Sequence, residues 1–92
     1  MEFNGYRNRE TWLFMTYFED FLTETLHEQQ QEKEIKYSDV EKYVKYLIDE
    51  MYNGSNKFII GSKLLDYIIN EFLDEIDIKE VTDHIAHALD VE

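Results

Sequence analysis

The scarcity of helix-breaking residues is the feature of this sequence that most restricts its fold. The chain has 92 residues with no proline and only three glycines, Gly5, Gly54 and Gly61. Proline and glycine are the residues that most strongly disfavour a helix interior. Helices are therefore the default for this chain, and their ends should be marked by capping residues.

The first helix is expected to begin at Arg9 and to end near residues 29 to 31. Asn8 is a good N-cap, and Glu10 in the first turn suits the positive end of the helix dipole. Apolar residues then recur at steps of three and four, which is the pattern of a helix with one inward face. The predicted inward residues are Trp12, Leu13, Met15, Phe18, Phe21, Leu22 and Leu26.

A second helix is predicted from a capping box, in which Ser38 caps the start and Glu41 reaches back to it. The pair Asn53-Gly54 is expected to end this helix, with glycine in the left-handed position that follows a helix. The inward residues are predicted to be Val40, Tyr43, Val44, Leu47, Ile48 and Met51.

Residues 55 to 61 fit either a loop with a buried tip or the first turn of the next helix. We favour the loop, with Ser62 as the cap of a third helix that runs from Lys63 to about Glu75. The inward residues of this third helix are predicted to be Leu64, Leu65, Ile68, Ile69, Phe72 and Leu73.

A fourth helix is predicted from Ile78 to Leu89, because Asp77 and Glu80 have the spacing of a second capping box. Its inward residues should be Ile78, Val81, Ile85, Ala88 and Leu89. The connection to the preceding helix is short, which favours a helical hairpin. The predicted fold is therefore all-α, a compact bundle of about four helices with short connections, in a single domain over residues 1 to 92.

The composition supports a packed core in a reducing environment. Hydrophobic residues make up 43% of the chain, with seven tyrosines, six phenylalanines and one tryptophan, which argues against disorder. There is no cysteine, so disulfides, thiolate nucleophiles and cysteine-based metal sites are excluded. We expect a cytoplasmic protein, because neither a signal-peptide pattern nor an apolar run of about 20 residues is present.

The charge balance restricts the partners. Twenty-one acidic against nine basic residues give a formal net charge of −12. A surface of this sign repels both nucleic acid and anionic membranes, so we expect neither to bind directly. A basic protein partner is favoured instead, although the same charge also serves solubility.

No pattern of catalytic residues stands out. Glu80, His84 and His87 would share one face of the fourth helix, but two histidines three apart lack the usual four-residue spacing of a zinc site. The serines fall at turns or caps, and no glycine-rich phosphate loop is present. We therefore expect neither an enzyme, nor a metal site, nor a cofactor.

Acidic residues are concentrated on the first helix and in the last quarter of the chain. Residues 71 to 92 contain eight acids and one base, Lys79. Carboxylates three or four residues apart on a helix lie about 5–6 Å apart at Cβ. Each strand of duplex DNA carries one phosphate per roughly 3.4 Å of helix axis, so the two spacings are of the same order. The predicted partner-binding residues are Glu19, Asp20, Glu24, Glu28, Glu71, Asp74, Glu75, Asp77, Glu80 and Asp83.

The segment NGYRNRETW, residues 4 to 12, resembles the N-terminal signature of small acidic proteins carried by phages, plasmids and other mobile elements. An Asn-x-Glu-Thr-Trp core, here Asn8, Glu10, Thr11 and Trp12, opens the first helix of those proteins. Their C-terminal helical pair is also similar to residues 62 to 89. The resemblance implies a setting of host takeover, in which anti-CRISPR and antirestriction inhibitors are common.

The sequence thus leads to two hypotheses. In the first, the chain inhibits a host defence protein, a CRISPR effector or a restriction enzyme, by placing acidic helix faces where nucleic-acid phosphates would bind. In the second, it is a non-catalytic adaptor whose tyrosine-rich face binds a phage protein or a second copy as a homodimer. In both, the Asn-x-Glu-Thr-Trp segment starts a helix, with Trp12 packed against Tyr6 or beneath the Arg7 guanidinium.

Overall fold

The fold was analysed in a computed structural model that describes the backbone of residues 3–58 and 63–91, and the side chains of residues 3–52 and 68–91. Within these residues the chain forms four helices: α1 (Arg9–Gln30), α2 (Tyr37–Phe58), α3 (Lys63–Asp74) and α4 (Ile78–Ala88). Short connections join them at residues 31–36 and 75–77. The prediction of an all-α bundle of about four helices is confirmed.

Helices α2 and α4 are the centre of the packing, because they contact each other, while α1 packs against α4 and α3 against α2. The core is built from buried residues of all four helices, and the exposed fraction of several of these side chains is zero. The buried core residues of α1, α2 and α4 include Phe14, Met15, Leu22, Leu26, Val40, Val44, Ile48, Val81, Ile85 and Ala86.

Helix α1 begins where the sequence predicts. The side chain of Asn8 accepts a hydrogen bond of 2.8 Å from the backbone N–H of Thr11, as an N-cap should. The inward face is rotated from the predicted one, however. Phe21 is 49% exposed, whereas Phe14 and Thr11 are buried. The apolar run at residues 12–15 offers several equivalent choices of inward face, so periodicity alone does not place Phe14 there.

The start of α2 differs from the predicted capping box. The helix begins at Tyr37, and the Asp39 carboxylate accepts a hydrogen bond of 2.9 Å from the backbone N–H of Lys36. Asp39 therefore occupies the third helical position and caps the N–H of Lys36, in the role expected of Glu41. Ser38 lies inside the first turn and does not cap the helix.

The predicted end of α2 at Asn53-Gly54 is wrong, because the helix continues to Phe58. A glycine inside a helix costs about 1 kcal/mol relative to alanine, which is not enough by itself to end a helix. The expected loop is therefore helical as far as residue 58. The predicted Ser62 cap and the side chains of Leu64 and Leu65 lie outside the described residues.

The boundaries of α3 and α4 lie within one residue of the predicted ones. Asp77 caps α4, since its Oδ1 accepts a hydrogen bond of 3.0 Å from the backbone N–H of Glu80. Two inward assignments are wrong: Ile68 is 52% exposed, and Ala88 is exposed while Thr82 and Ala86 are buried. None of the helices in the described residues is long and apolar enough to span a membrane.

Candidate functional site

A tight turn precedes α1 and places the N-terminal aromatic residues. The backbones of Phe3 and Tyr6 exchange two hydrogen bonds, and the two residues between them, Asn4 and Gly5, have positive φ angles of 48° and 88°. This is the geometry of a two-residue hairpin turn, for which Asn-Gly is the preferred sequence. The turn brings the ring of Phe3 to 5.0 Å from that of Trp12.

Trp12 therefore packs against Phe3, and not in either of the two expected ways. Tyr6 instead contacts His84 of α4, with their ring centroids 4.8 Å apart. Arg7 likewise points to α4, where its guanidinium pairs with Asp77 at 3.3 Å. The dipeptide Asn4-Gly5 was the signal in the sequence for this turn, and the Phe3 partner follows from it.

The residues that start α1 also hold the connection between α3 and α4. The side-chain amide of Asn8 donates a hydrogen bond of 2.7 Å to the backbone carbonyl of Glu75. The hydroxyl of Thr11, which is fully buried, accepts a hydrogen bond of 2.9 Å from the backbone N–H of Asp77. We call this set of contacts the junction; its side chains come from Arg7, Asn8, Thr11, Asp77 and Glu80.

The junction replaces the second half of the predicted capping box at α4. In a capping box Glu80 would accept a hydrogen bond from the backbone N–H of Asp77. That N–H is bound by Thr11, and the Glu80 carboxylate accepts a hydrogen bond of 2.9 Å from the backbone N–H of Arg7. Residues of the N-terminal segment thus form hydrogen bonds with the backbone N–H of Asp77 and with the carboxylate of Glu80. The Asn-x-Glu-Thr-Trp segment therefore has a structural role.

Two further acids of the C-terminal region bind tyrosines. Asp83 accepts a hydrogen bond of 2.5 Å from the hydroxyl of Tyr37 and pairs with Lys79 at 2.9 Å. These two hydrogen bonds hold the pKa of Asp83 below its usual value, and the same carboxylate raises the pKa of Tyr37. Asp74 accepts a hydrogen bond from the Tyr52 hydroxyl, which raises the pKa of Tyr52 to about 12.

The outer side of α1 carries a row of acids that no described residue neutralises. Asp20, Glu24 and Glu28 follow one another at four-residue steps, all three are exposed, and none forms an ion pair or hydrogen bond among the described side chains. We call these three residues the α1 ladder. Two apolar side chains share this side of α1, since Tyr17 is 76% and Phe21 49% exposed.

Glu19 lies apart from the α1 ladder. It is exposed, and its charge adds to burial in raising the pKa of Tyr6. Consecutive residues of a helix project about 100° apart, so Glu19 points to a different side of α1 from Asp20. Glu19 is therefore assigned to a different surface from the other three predicted acids of this helix.

Glu71, on α3, and Glu75, directly after its end, are the remaining acids of the predicted binding set. Both are exposed, and neither forms an ion pair or side-chain hydrogen bond among the described residues. Together with Glu10 at the start of α1, they border a groove of about 280 Å³ whose apolar lining is Ile68 and Phe72. We call this feature the α1–α3 groove.

The ten predicted partner-binding acids therefore do not form one surface. Asp74, Asp77, Glu80 and Asp83 bind other parts of the same chain and support the fold. The other six predicted acids, those of the α1 ladder together with Glu19, Glu71 and Glu75, form no ion pair or side-chain hydrogen bond among the described residues. The sequence could not separate the two groups, because each structural acid is bound by a residue from another part of the chain.

Two members of the pattern Glu80, His84 and His87 on α4 contact the N-terminal segment. Glu80 is bound to the backbone of Arg7, and His84 packs against Tyr6. Among the described residues, no group of three or more histidine, aspartate or glutamate side chains is arranged to hold a metal ion.

The tyrosines also divide into two kinds. Tyr37 and Tyr52 are tied to carboxylates, and Tyr43 packs against the core. Tyr17 and Tyr46 are 76% and 56% exposed, and the ring of Tyr46 stacks on Tyr43 at 6.0 Å. The exposed pair lies on two different helices, α1 and α2.

Residues 1–89 match the model of a protein family, described as a family of unknown function (DUF7249). The chain belongs to the DUF7249 family. The match extends over the N-terminal turn, the junction, the α1 ladder and the α1–α3 groove, so all of these lie within the DUF7249 region. No curated protein and no solved structure matches the chain.

Proposed function

We propose that this DUF7249 protein is a non-catalytic inhibitor from a phage or other mobile element. It binds a basic, nucleic-acid-handling defence protein of the host, such as a CRISPR effector or a restriction enzyme. Its acidic helix faces occupy the surface that binds phosphates in that protein. The mobile-element setting rests on the resemblance of residues 4 to 12, and the mode of binding rests on the charges described above.

The observation that carries the proposal is the α1 ladder. Asp20, Glu24 and Glu28 lie in a row on an exposed helix face, about 5–6 Å apart at Cβ. Like charges at this spacing disfavour the helix, and no described cation offsets them. A row of anions at such a pitch suits a protein surface that binds a phosphate backbone. The net charge of −12 steers the approach to such a surface.

The experiment is capture from host lysate on the immobilised protein, at low and at high salt, followed by competition with duplex DNA. The test variant is Glu24→Lys/Glu28→Lys, which reverses two charges of the α1 ladder. The control variant is Glu34→Lys/Glu50→Lys, which reverses two exposed acids elsewhere and changes the net charge equally.

The proposal expects a captured protein that duplex DNA displaces and that high salt releases, because exposed charge pairs are screened. The α1 ladder variant should lose the captured protein and the control variant should retain it. Equal capture by both variants, or a captured protein that DNA does not displace, would refute the proposal.

A second candidate function has one observation in its favour. Tyr17 and Phe21 lie four residues apart on the outer side of α1, and both are largely exposed. Apolar side chains in this arrangement suit an adaptor that binds a second copy or another phage protein. Light scattering over a range of concentrations tests it: a dimer whose mass does not change with salt, and which Tyr17→Ser/Phe21→Ser dissociates, favours the adaptor.

A further inference from the structure

Two apolar side chains that the structure describes on helix α3, Ile68 and Phe72, line the α1–α3 groove. Ile68 is 52% exposed, and Phe72, one turn further along, is half-buried. Phe72 also packs against the core cluster, so the floor of the α1–α3 groove is fixed to the interior of the protein. An exposed isoleucine beside an anchored phenylalanine forms an apolar surface of the kind that binds a partner side chain.

The rim of this groove is acidic. Glu71 lies in the last turn of α3 and Glu75 directly after its end, and Glu10 lies across from them on the first turn of α1. The lining that the structure describes holds three carboxylates and no cation. The last turn of α3 has no basic residue either, although a cation there would favour the helix dipole. The groove is therefore complementary to an apolar group surrounded by positive charge.

The shape of the groove favours a helix as its occupant. Ile68, Glu71, Phe72 and Glu75 follow the spacing of a helix ridge, which packs against the face of another helix. The described residues contain no strand whose edge an extended peptide would join. The volume of about 280 Å³ lies below the ~300–1,000 Å³ of pockets that enclose small molecules.

We propose that the α1–α3 groove binds a basic amphipathic helix of the partner protein. Its apolar residues would pack on Ile68 and Phe72, and its lysines or arginines would pair with Glu10, Glu71 and Glu75. Arginine can also lie over the ring of Phe72 as a cation–π contact. This inference rests on the proposed function, because it assigns a chemistry to the protein that the inhibitor binds.

A synthetic peptide tests the inference without the natural partner. The probe is a labelled 18-residue helix of leucine, lysine and alanine, about five turns long, with its leucines on one face. The control peptide has the same composition in a shuffled order, so it has the same charge and no apolar face. Fluorescence anisotropy measures the affinity of each peptide for the full chain, and circular dichroism checks the folding of every variant.

The expected result is at least tenfold tighter binding of the amphipathic peptide than of the shuffled one. Ile68→Asp and Glu71→Lys/Glu75→Lys should each weaken binding at least tenfold. Glu34→Lys/Glu50→Lys, with the same charge change at two exposed acids outside the groove and the α1 ladder, should leave it within about threefold, which corresponds to less than 1 kcal/mol. Amide chemical shifts should change around residues 10 and 68 to 75.

Equal affinity for the two peptides, or equal weakening by the two double variants, would contradict the proposal that the groove is a binding site. Either result would mean that the peptides bind only by nonspecific electrostatic attraction. That outcome leaves the proposed function standing, because lysate capture through the α1 ladder is measured separately. Conversely, groove binding of the peptide together with unchanged capture by Glu24→Lys/Glu28→Lys would reject the α1 ladder while keeping the groove.

Discussion

The buried hydroxyl of Thr11 accepts a hydrogen bond of 2.9 Å from the backbone N–H of Asp77, across 66 positions of the sequence. One threonine in the first turn of α1 thus satisfies the first free N–H at the start of α4. Without it, a partly buried backbone donor would have no partner, which is costly in a protein interior.

Thr11→Val should therefore destabilise the fold by about 1–3 kcal/mol, because valine matches the shape of threonine but cannot accept the hydrogen bond. Urea unfolding followed by circular dichroism measures the free energy of unfolding. Thr16→Val is the matched control, since the exposed Thr16 hydroxyl bonds only to a carbonyl of its own helix. The control should change stability by less than about 0.5 kcal/mol. A similar loss in both variants would mean that the Thr11–Asp77 contact adds nothing.

Asn8 should contribute more to the free energy of unfolding than an ordinary N-cap residue does. Asn8→Ala removes both the cap on Thr11 and the hydrogen bond to the carbonyl of Glu75, with an expected cost of about 1–3 kcal/mol. Asn8→Asp keeps the capping oxygen and loses the donor to Glu75. Its added negative charge favours the start of the helix, so the comparison is made at high salt, where that contribution is screened. Thermal unfolding of the two variants separates the contributions. If Asn8→Asp is as stable as the native chain, the link to Glu75 is not stabilising.

The hydrogen bond from Tyr52 to Asp74 should be visible in the alkaline titration. The pKa of Tyr52 in the folded protein is raised to about 12, above the ordinary value of 10.0. The raised pKa means that this hydrogen bond stabilises the fold fully below pH 10 and is lost as the pH rises towards 12. Phenolate absorbance should show a group titrating near 12, and Asp74→Asn should return it towards 10. An unchanged titration in Asp74→Asn would exclude the carboxylate as the cause.

Glu71→Lys should stabilise the protein, although we expect it to weaken partner binding. Glu71 is exposed in the last turn of α3, close to the negative end of the helix dipole and four residues from Glu75. Lysine at this position reverses both repulsions, with an expected gain of about 0.3–1 kcal/mol. The melting temperature should rise by a few degrees at low salt and much less at high salt. A lower melting temperature would show that Glu71 has a structural role.

The parts of the fold that the sequence predicts are those set by neighbouring residues. The caps of Asn8 and Asp77 each act on a backbone N–H three positions away, so the local sequence contains both partners. The starts of α1 and α4 follow from them. The observed start of α2 differs from the predicted one, because Asp39 and Glu41 are both suited to accept the capping hydrogen bond. The structure shows that Asp39 accepts it.

The parts that the sequence does not predict depend on residues far apart in the chain. Asp74, Asp77, Glu80 and Asp83 look identical to Glu71 and Glu75 as a pattern of acids. Their partners, Tyr52, Arg7 and Tyr37, are 22 to 73 positions away. The α1–α3 groove was missed for the same reason, since Ile68 fits the inward stripe of α3 and its exposure depends on what packs against it.

The junction joins a segment that is synthesised early to one that is synthesised late. A ribosome releases residues 7 to 11 long before residues 75 to 80, yet the two segments satisfy each other's backbone groups. While the chain is still growing, the hydroxyl of Thr11 and the carboxamide of Asn8 have only water and α1 itself as partners. Residues 7 to 11 thus leave the ribosome well before they can reach their native contacts.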